Sequence, residues 1–288
     1  MTDSVERVPV KRTAKLFIGG KFPRSESGHS YEVHAHDGRP LGWVAKASRK
    51  DLRDAVVAAR AAQPSWAALT AYNRGQVLYR VAELMEGRRA QFVQELTDTG
   101  AADPERGIDA AIDRWVWYAG WCDKIHQVLG STNPVAGPYF NFTLPEPTGV
   151  VGVVPRADQP LLGLVSRVAP AIVSGNTVVV LASETGPLPA VSLGEVLATS
   201  DVPGGVVNIL TGPTADLVPW LAGHMDVNAI DVTGVPDDLL PEVERMAADN
   251  VKRIHRAPEG DPFTADAQSP YEITALMEFK TVWHPIGA

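Results

Sequence analysis

Four short runs, residues 150–154, 177–181, 206–210 and 229–232, read VVGVV, TVVVL, VVNIL and AIDV and are almost wholly apolar. Strands of this texture are buried on both faces, as in a parallel sheet covered by helices. Segments 161–174, 187–199 and 214–223 lie between them, and each is long enough for a crossover helix. Strands alternating with helices define an α/β fold with a doubly wound parallel sheet.

Upstream the texture differs. Residues 15–22 (KLFIGGKF) predict a strand, a glycine turn and the start of a second strand, and residues 31–45 a hairpin turning at Asp37-Gly38. A helix is expected over 51–62, with Leu52, Ala55, Val56 and Ala59 on one face. Residues 74–96 repeat that pattern through Val77, Leu78, Val81, Leu84 and Met85, and a third helix over 109–129 carries Trp115, Trp117, Tyr118 and Trp121. Residues 138–144 and 271–283 are strand-like, yet neither has an evident place in a single doubly wound domain. The expected division is a flexible leader at 1–14, a core of 15–137 and 149–257, and protruding strands at 138–148 and 271–284.

Charge and composition narrow the function. A net charge of -8 argues against a nucleic-acid partner, which calls for a basic surface. No run approaches eighteen apolar residues, so no membrane partner is expected. The single cysteine, Cys122, excludes an internal disulfide and fits a reducing, cytoplasmic setting. Cys122 reads as a small buried hydrophobe rather than a nucleophile. His34 and His36 alternate as on one strand face and suggest no metal site. The tryptophans at 115, 117 and 121 read as core or subunit contact.

EPTGVVGVV at 146–154, VAPAIVSGNTVVV at 168–180 and VVNILTG at 206–212 resemble, in order, the cofactor domain of NAD(P)-dependent aldehyde dehydrogenases. The resemblance extends over residues 16–282, with one large deletion near Ala257. It implies a Rossmann-like fold with N-terminal hairpins and helices plus protruding oligomerisation strands. The tail MEFKTVW at 277–283 is similar to the family's last strand, which crosses to a neighbouring subunit. In the family a second domain carries the nucleophilic cysteine. Residues 258–288 are too few for a domain, so that catalytic half is expected to be absent.

The resemblance fails at the functional positions. The oxyanion-holding asparagine falls on Asp158, and a carboxylate cannot donate the hydrogen bond an oxyanion needs. The ribose-binding lysine falls on Leu181, while its companion glutamate is kept as Glu184. Gly212 closes the strand before the next crossover. The phosphate-binding turn keeps Thr233 and Gly234 but continues Val235-Pro236-Asp237-Asp238. Pro236 removes a donor and two acids precede a helix start, which makes a poor pyrophosphate site. The general-base glutamate falls on Ala257, whose methyl group accepts no proton.

These positions imply no catalytic residues, no metal, and no firmly held cofactor, with NAD or NADP as the nucleotide if any binds at Glu184, Gly212, Thr233 and Gly234. The leading expectation is a catalytically inactive subunit with a structural or regulatory role, in a homo-oligomer or with a full-length aldehyde dehydrogenase. Two alternatives stay open: an NAD-dependent aldehyde oxidoreductase component acting with a complete partner, and a small-ligand or nucleotide-binding module.

Overall fold

The computed structural model describes residues 10–287, so residues 1–9 of the expected leader lie outside the described residues. The leader ends earlier than expected, because Thr13–Ala14 already forms a strand, β1. The hairpin turning at Asp37-Gly38 is present as β2 (Ser30–His34) and β3 (Pro40–Ala45), with Gly38 at φ +84°. β3 holds β2 antiparallel on one side and β1 in parallel on the other. Residues 15–22 do not form two regular strands. Phe17 instead bridges to Ile209 through reciprocal backbone bonds of 3.0 and 2.7 Å, tying the N-terminal segment to the edge of the main sheet.

α1 (Arg49–Ala68) starts before Asp51 because Ser48 is its cap. The Ser48 hydroxyl accepts from Asp51 N at 3.2 Å, and the Asp51 carboxylate accepts from Ser48 N at 2.8 Å. This reciprocal pair satisfies two orphan donors of the first turn. The helix expected over 74–96 is two helices, α2 (Ala71–Gly87) and α3 (Arg89–Asp98). Gly87 is a weak helix former at the break, and the Arg88 side chain reaches across to Glu195 at 2.9 Å. α4 (Pro104–Ala119) begins at an Asp103 cap with Pro104 in the first turn. Gly120 ends it, so the helix expected over 109–129 also splits, leaving the short α5 (Ile125–Leu129).

β4 (Ser131–Asn133) and β5 (Tyr139–Pro147) precede the alternating region. That region runs β6 (Val150–Val153), α6 (Leu162–Val173), β7 (Thr177–Leu181), α7 (Leu188–Leu197), β8 (Val207–Leu210), α8 (Thr214–Ala222), β9 (Ala229–Asp231), α9 (Leu240–Ala248) and β10 (Arg253–His255). The five strands pair in parallel in the order β10-β9-β6-β7-β8, a doubly wound sheet. Both faces are covered. Val151, Val153, Val178, Val180 and Ile209 pack with α2, α3, α4, α6 and α7, whereas Val150, Val179, Leu181, Leu210 and Ile230 pack with α1, α8 and α9. Each fully buried aliphatic side chain contributes roughly 1.5–3 kcal/mol, which accounts for the unbroken apolar spelling of these strands.

The tail departs from expectation. Residues 271–276 are not strand: Ser269 accepts from Tyr271 N at 3.2 Å and Pro270 fixes the first turn of α10 (Pro270–Thr274). The strand β11 spans Met277–Pro285. It takes no place in the doubly wound sheet and instead pairs antiparallel with β5 from Met277↔Pro147 to Pro285↔Tyr139. β4 lies on the other side of β5, giving a third sheet in the order β11-β5-β4. No helix among the described residues is long and apolar enough to cross a membrane.

Candidate functional site at the carboxyl edge of the sheet

In a doubly wound sheet the loops after the strands' carboxyl ends form the usual ligand crevice. Here β6, β9 and β10 end around a cavity of about 210 Å³. Its wall includes Arg156 and Gln159 after β6, Thr233 after β9, Arg256 and Ala257 after β10, and the segment 258–267. Arg114 of α4, Ser166 and Arg167 of α6, and Glu272 of α10 complete it.

Asp158 is held by Arg156 in a two-pronged pair, Nε to Oδ1 at 3.0 Å and Nη2 to Oδ2 at 2.9 Å. The hydrogen bonds from Arg156 keep the carboxyl below its usual range, so it is an anion with accepting oxygens only. Thr233 and Ala257 meet: the Thr233 hydroxyl accepts from Ala257 N at 2.9 Å. Gly234 serves strand approach. Its N–H donates to Val154 O at 2.7 Å, and a Cβ there would lie 2.0 Å from Pro155 O.

The positions that the resemblance assigns to a nucleotide are dispersed differently. Leu181 and Val235 are buried, and both side chains belong to the apolar layer under α1, α8 and α9. Glu184 is exposed, and its carbonyl accepts from the Tyr31 hydroxyl at 3.4 Å. Burial first, and then the Glu184 charge, push the Tyr31 phenol upward. Gly212 sits at φ +149° after β8, where a Cβ would meet Ala47 N at 3.5 Å and the Leu217 side chain at 3.4 Å. The turn 233–238 is not itself the helix start expected from sequence. α9 begins at Leu240, and no side chain caps it. Pro236 O accepts from Leu239 N at 3.0 Å, so the turn closes on itself before the helix begins.

Cys122 lies away from this wall, in the turn after α4, with its Sγ 3.9 Å from Val173 O. Burial raises its thiol to about 11, which disfavours the reactive thiolate. His34 lies 3.4 Å from Glu32. Among the described residues no three His, Cys, Asp or Glu side chains form a metal-holding group.

One group escaped sequence reasoning. Arg167, Asp231, His255 and Glu272 come from α6, β9, β10 and α10 and form a largely buried ionic cluster at the cavity wall, which Arg167 and Glu272 help to line. Arg167 Nη1 donates to Glu272 Oε2 and lies 3.7 Å from Asp231 Oδ2. His255 Nε2 is 2.9 Å from the same Glu272 oxygen, and since a carboxylate only accepts, that nitrogen carries the hydrogen. Burial alone would raise Glu272, but the His255 hydrogen bond and the Arg167 charge outweigh it and hold the carboxyl at about 2. Asp231 Oδ1 accepts from Thr233 N at 3.0 Å, whereas its buried Oδ2 has no hydrogen-bond partner. Arg114 clamps the covering segment, donating to Ser166 Oγ at 2.6 Å, Ala267 O at 2.9 Å and Pro262 O at 2.9 Å. The sequence signal for the cluster was Arg167 itself, the only charge in the apolar helix α6.

Residues 22–260 match the aldehyde dehydrogenase family. The Bacillus subtilis protein DhaS is 35% identical over 249 residues, covering 84% of this chain and 50% of that protein. Human retinal dehydrogenase 2 is 35% identical over 250 residues, covering 83% of this chain and 47% of that protein. Among solved structures, the NAD+ complex of aldehyde dehydrogenase from Bacillus cereus superposes with a TM-score of 0.78 at 26% identity, over 84% of this chain and 50% of that one. The chain belongs to the aldehyde dehydrogenase family. It spans about half the length of these two curated relatives.

Proposed function

We propose that this chain is a catalytically incompetent member of its family, acting as a structural or regulatory subunit in an oligomer. The observation that carries the reading is the end of β10. There the family's general-base position holds Ala257, whose backbone is pinned to Thr233 and whose side chain has no atom that accepts a proton. Two further observations support it. Asp158, at the oxyanion position, is an anion locked to Arg156 and would repel developing negative charge. Leu181 and Val235, at the ribose and phosphate positions, turn into the core instead of the crevice. NAD or NADP is therefore held weakly or not at all, leaving Glu184, Gly212, Thr233 and Gly234 as the remnant of the site. A single buried cysteine suits the reducing cytoplasm.

The partner in this reading is a second copy of the chain or a full-length aldehyde dehydrogenase. Groups that act as a unit in catalysis each cost orders of magnitude when removed. The chain, freed of contaminating dehydrogenases, is expected to show no NAD- or NADP-dependent oxidation of aldehydes. Steady-state assay beside the Cys122→Ala variant tests this. Turnover that survives purification and disappears in the variant contradicts the reading.

A further inference from the structure

The segment before β2 gathers cations in a chain whose net charge is -8. Residues 11–24 hold five Lys and Arg side chains and no Asp or Glu. Two of the five are brought face to face by a tight turn. Ile18 and Lys21 exchange backbone bonds of 3.0 Å each around Gly19 and Gly20, whose φ values of +60° and +75° suit a two-residue hairpin turn. Leu16 N donates to Pro23 O at 3.1 Å, the next bonded pair along this short ribbon. Antiparallel pairs alternate between bonded and non-bonded. Phe17 and Phe22 take the first non-bonded position, with ring centroids 5.2 Å apart, and Lys15 and Arg24 fall directly opposite each other at the next. Both are exposed, and like charges so placed destabilise a ladder.

The same two side chains line a groove of about 390 Å³ that also takes in Ser25, His29 and Ser30, and no acid is among its lining residues. The neighbouring charges are engaged elsewhere. Arg12 pairs with Glu195 at 2.6 Å, Lys46 with Asp216 at 3.0 Å, and Lys50 with Glu26 at 3.8 Å. Among the described residues no carboxylate lies within 4.0 Å of Lys15 or Arg24 in an ion pair. The loop that carries Arg24 and His29 is fixed. The Asp51 carboxylate of the α1 cap accepts from Ser25 Oγ at 2.7 Å and from Glu26 N at 3.1 Å, and His29 O accepts from Lys46 N at 2.9 Å. We infer that this groove binds a phosphate dianion, free or as the terminal phosphate of a small ester, with Arg24 donating as a fork, Lys15 opposite it as a point charge, and the Ser30 hydroxyl and His29 ring as further donors. An anion between the two cations turns their repulsion into attraction. None of Leu181, Glu184, Gly212, Thr233, Gly234 and Val235 lines this groove, so the site is separate from the crevice and does not depend on the subunit reading. NAD, whose phosphates are internal diesters, lacks the group recognised here.

Calorimetric titration of the full chain with inorganic phosphate and with ribose 5-phosphate tests the site. Saturable binding that weakens as salt is raised is expected. Tighter binding of the ester assigns the groove to a phosphorylated small molecule, and equal binding assigns it to the free ion. Arg24→Gln and Lys15→Gln are each expected to weaken binding about tenfold or more, the worth of a hydrogen bond to a charged group. Lys21→Gln removes another exposed cation of the same turn, one that does not line the groove, and is expected to bind like the parent. Lys15→Glu places opposite charges across the ribbon. It is expected to abolish binding while raising the thermal midpoint of the ligand-free chain. No saturable heat from the parent with either probe overturns the site, and so does a loss in Lys21→Gln as large as that in Arg24→Gln. A Lys15→Glu midpoint below the parent's overturns the cross-strand pairing on which the site is built.

Discussion

Arg167→Leu is expected to destabilise the chain by about 3–5 kcal/mol, the usual cost of breaking a buried ion pair from one side. The substitution keeps helix propensity and fills much of the same space, so the loss reports charge and not volume. It strands Glu272 and Asp231, both largely buried, with His255 as their only remaining cationic or donor side chain within 4.0 Å. The effect should spread beyond α6. Glu272 sits in α10, directly before β11, and Leu276 O at the junction accepts from Asn176 Nδ2 at 2.8 Å. Loosening α10 therefore releases the start of the tail strand. Urea denaturation gives the loss directly, and a midpoint within a few tenths molar of the parent contradicts the account.

The same cluster predicts how stability depends on acid. Glu272 titrates at about 2 in the folded chain against an ordinary value of 4.5. A carboxyl held down in this way stabilises the fold fully above its unfolded value, and that contribution fades as pH falls towards the folded value. Between pH 4.5 and about 2 the unfolded chain binds the extra proton, so stability falls with falling pH. Glu272→Gln cannot titrate and removes this slope. Denaturation midpoints measured from pH 5 downwards should converge for parent and variant as the pH drops. Curves that stay parallel through that window would show that Glu272 is not the linked group.

The sheet was legible because its message is local: each strand is a short apolar run, and burial on both faces leaves no other spelling. Helix ends were less legible. The breaks at Gly87–Arg88 and Gly120 lie inside continuous apolar stripes, where periodicity alone does not stop. The tail misled for a similar reason. Residues 271–276 alternate like a strand, but the Ser269-Pro270 pair is a helix start and decides the local structure. The pairing of β11 with β5 joins residues more than a hundred positions apart, and no local pattern records it. The ionic cluster is non-local in the same sense, since Arg167 and Glu272 are 105 residues apart. The assignment of Asp158, Leu181, Val235 and Ala257 to the site rests only on the family resemblance. What the fold adds is where each side chain turns, with Leu181 and Val235 entering the core and Asp158 locked to Arg156.

On the proposed function, the crevice at the sheet's carboxyl edge no longer holds nucleotide firmly. Calorimetric titration of NAD into the full chain tests this most directly, because binding precedes every step of the family's reaction. The account predicts no saturable heat with NAD in large excess over the protein. Saturable binding with a micromolar Kd would contradict it and return the chain to the enzymes of its family.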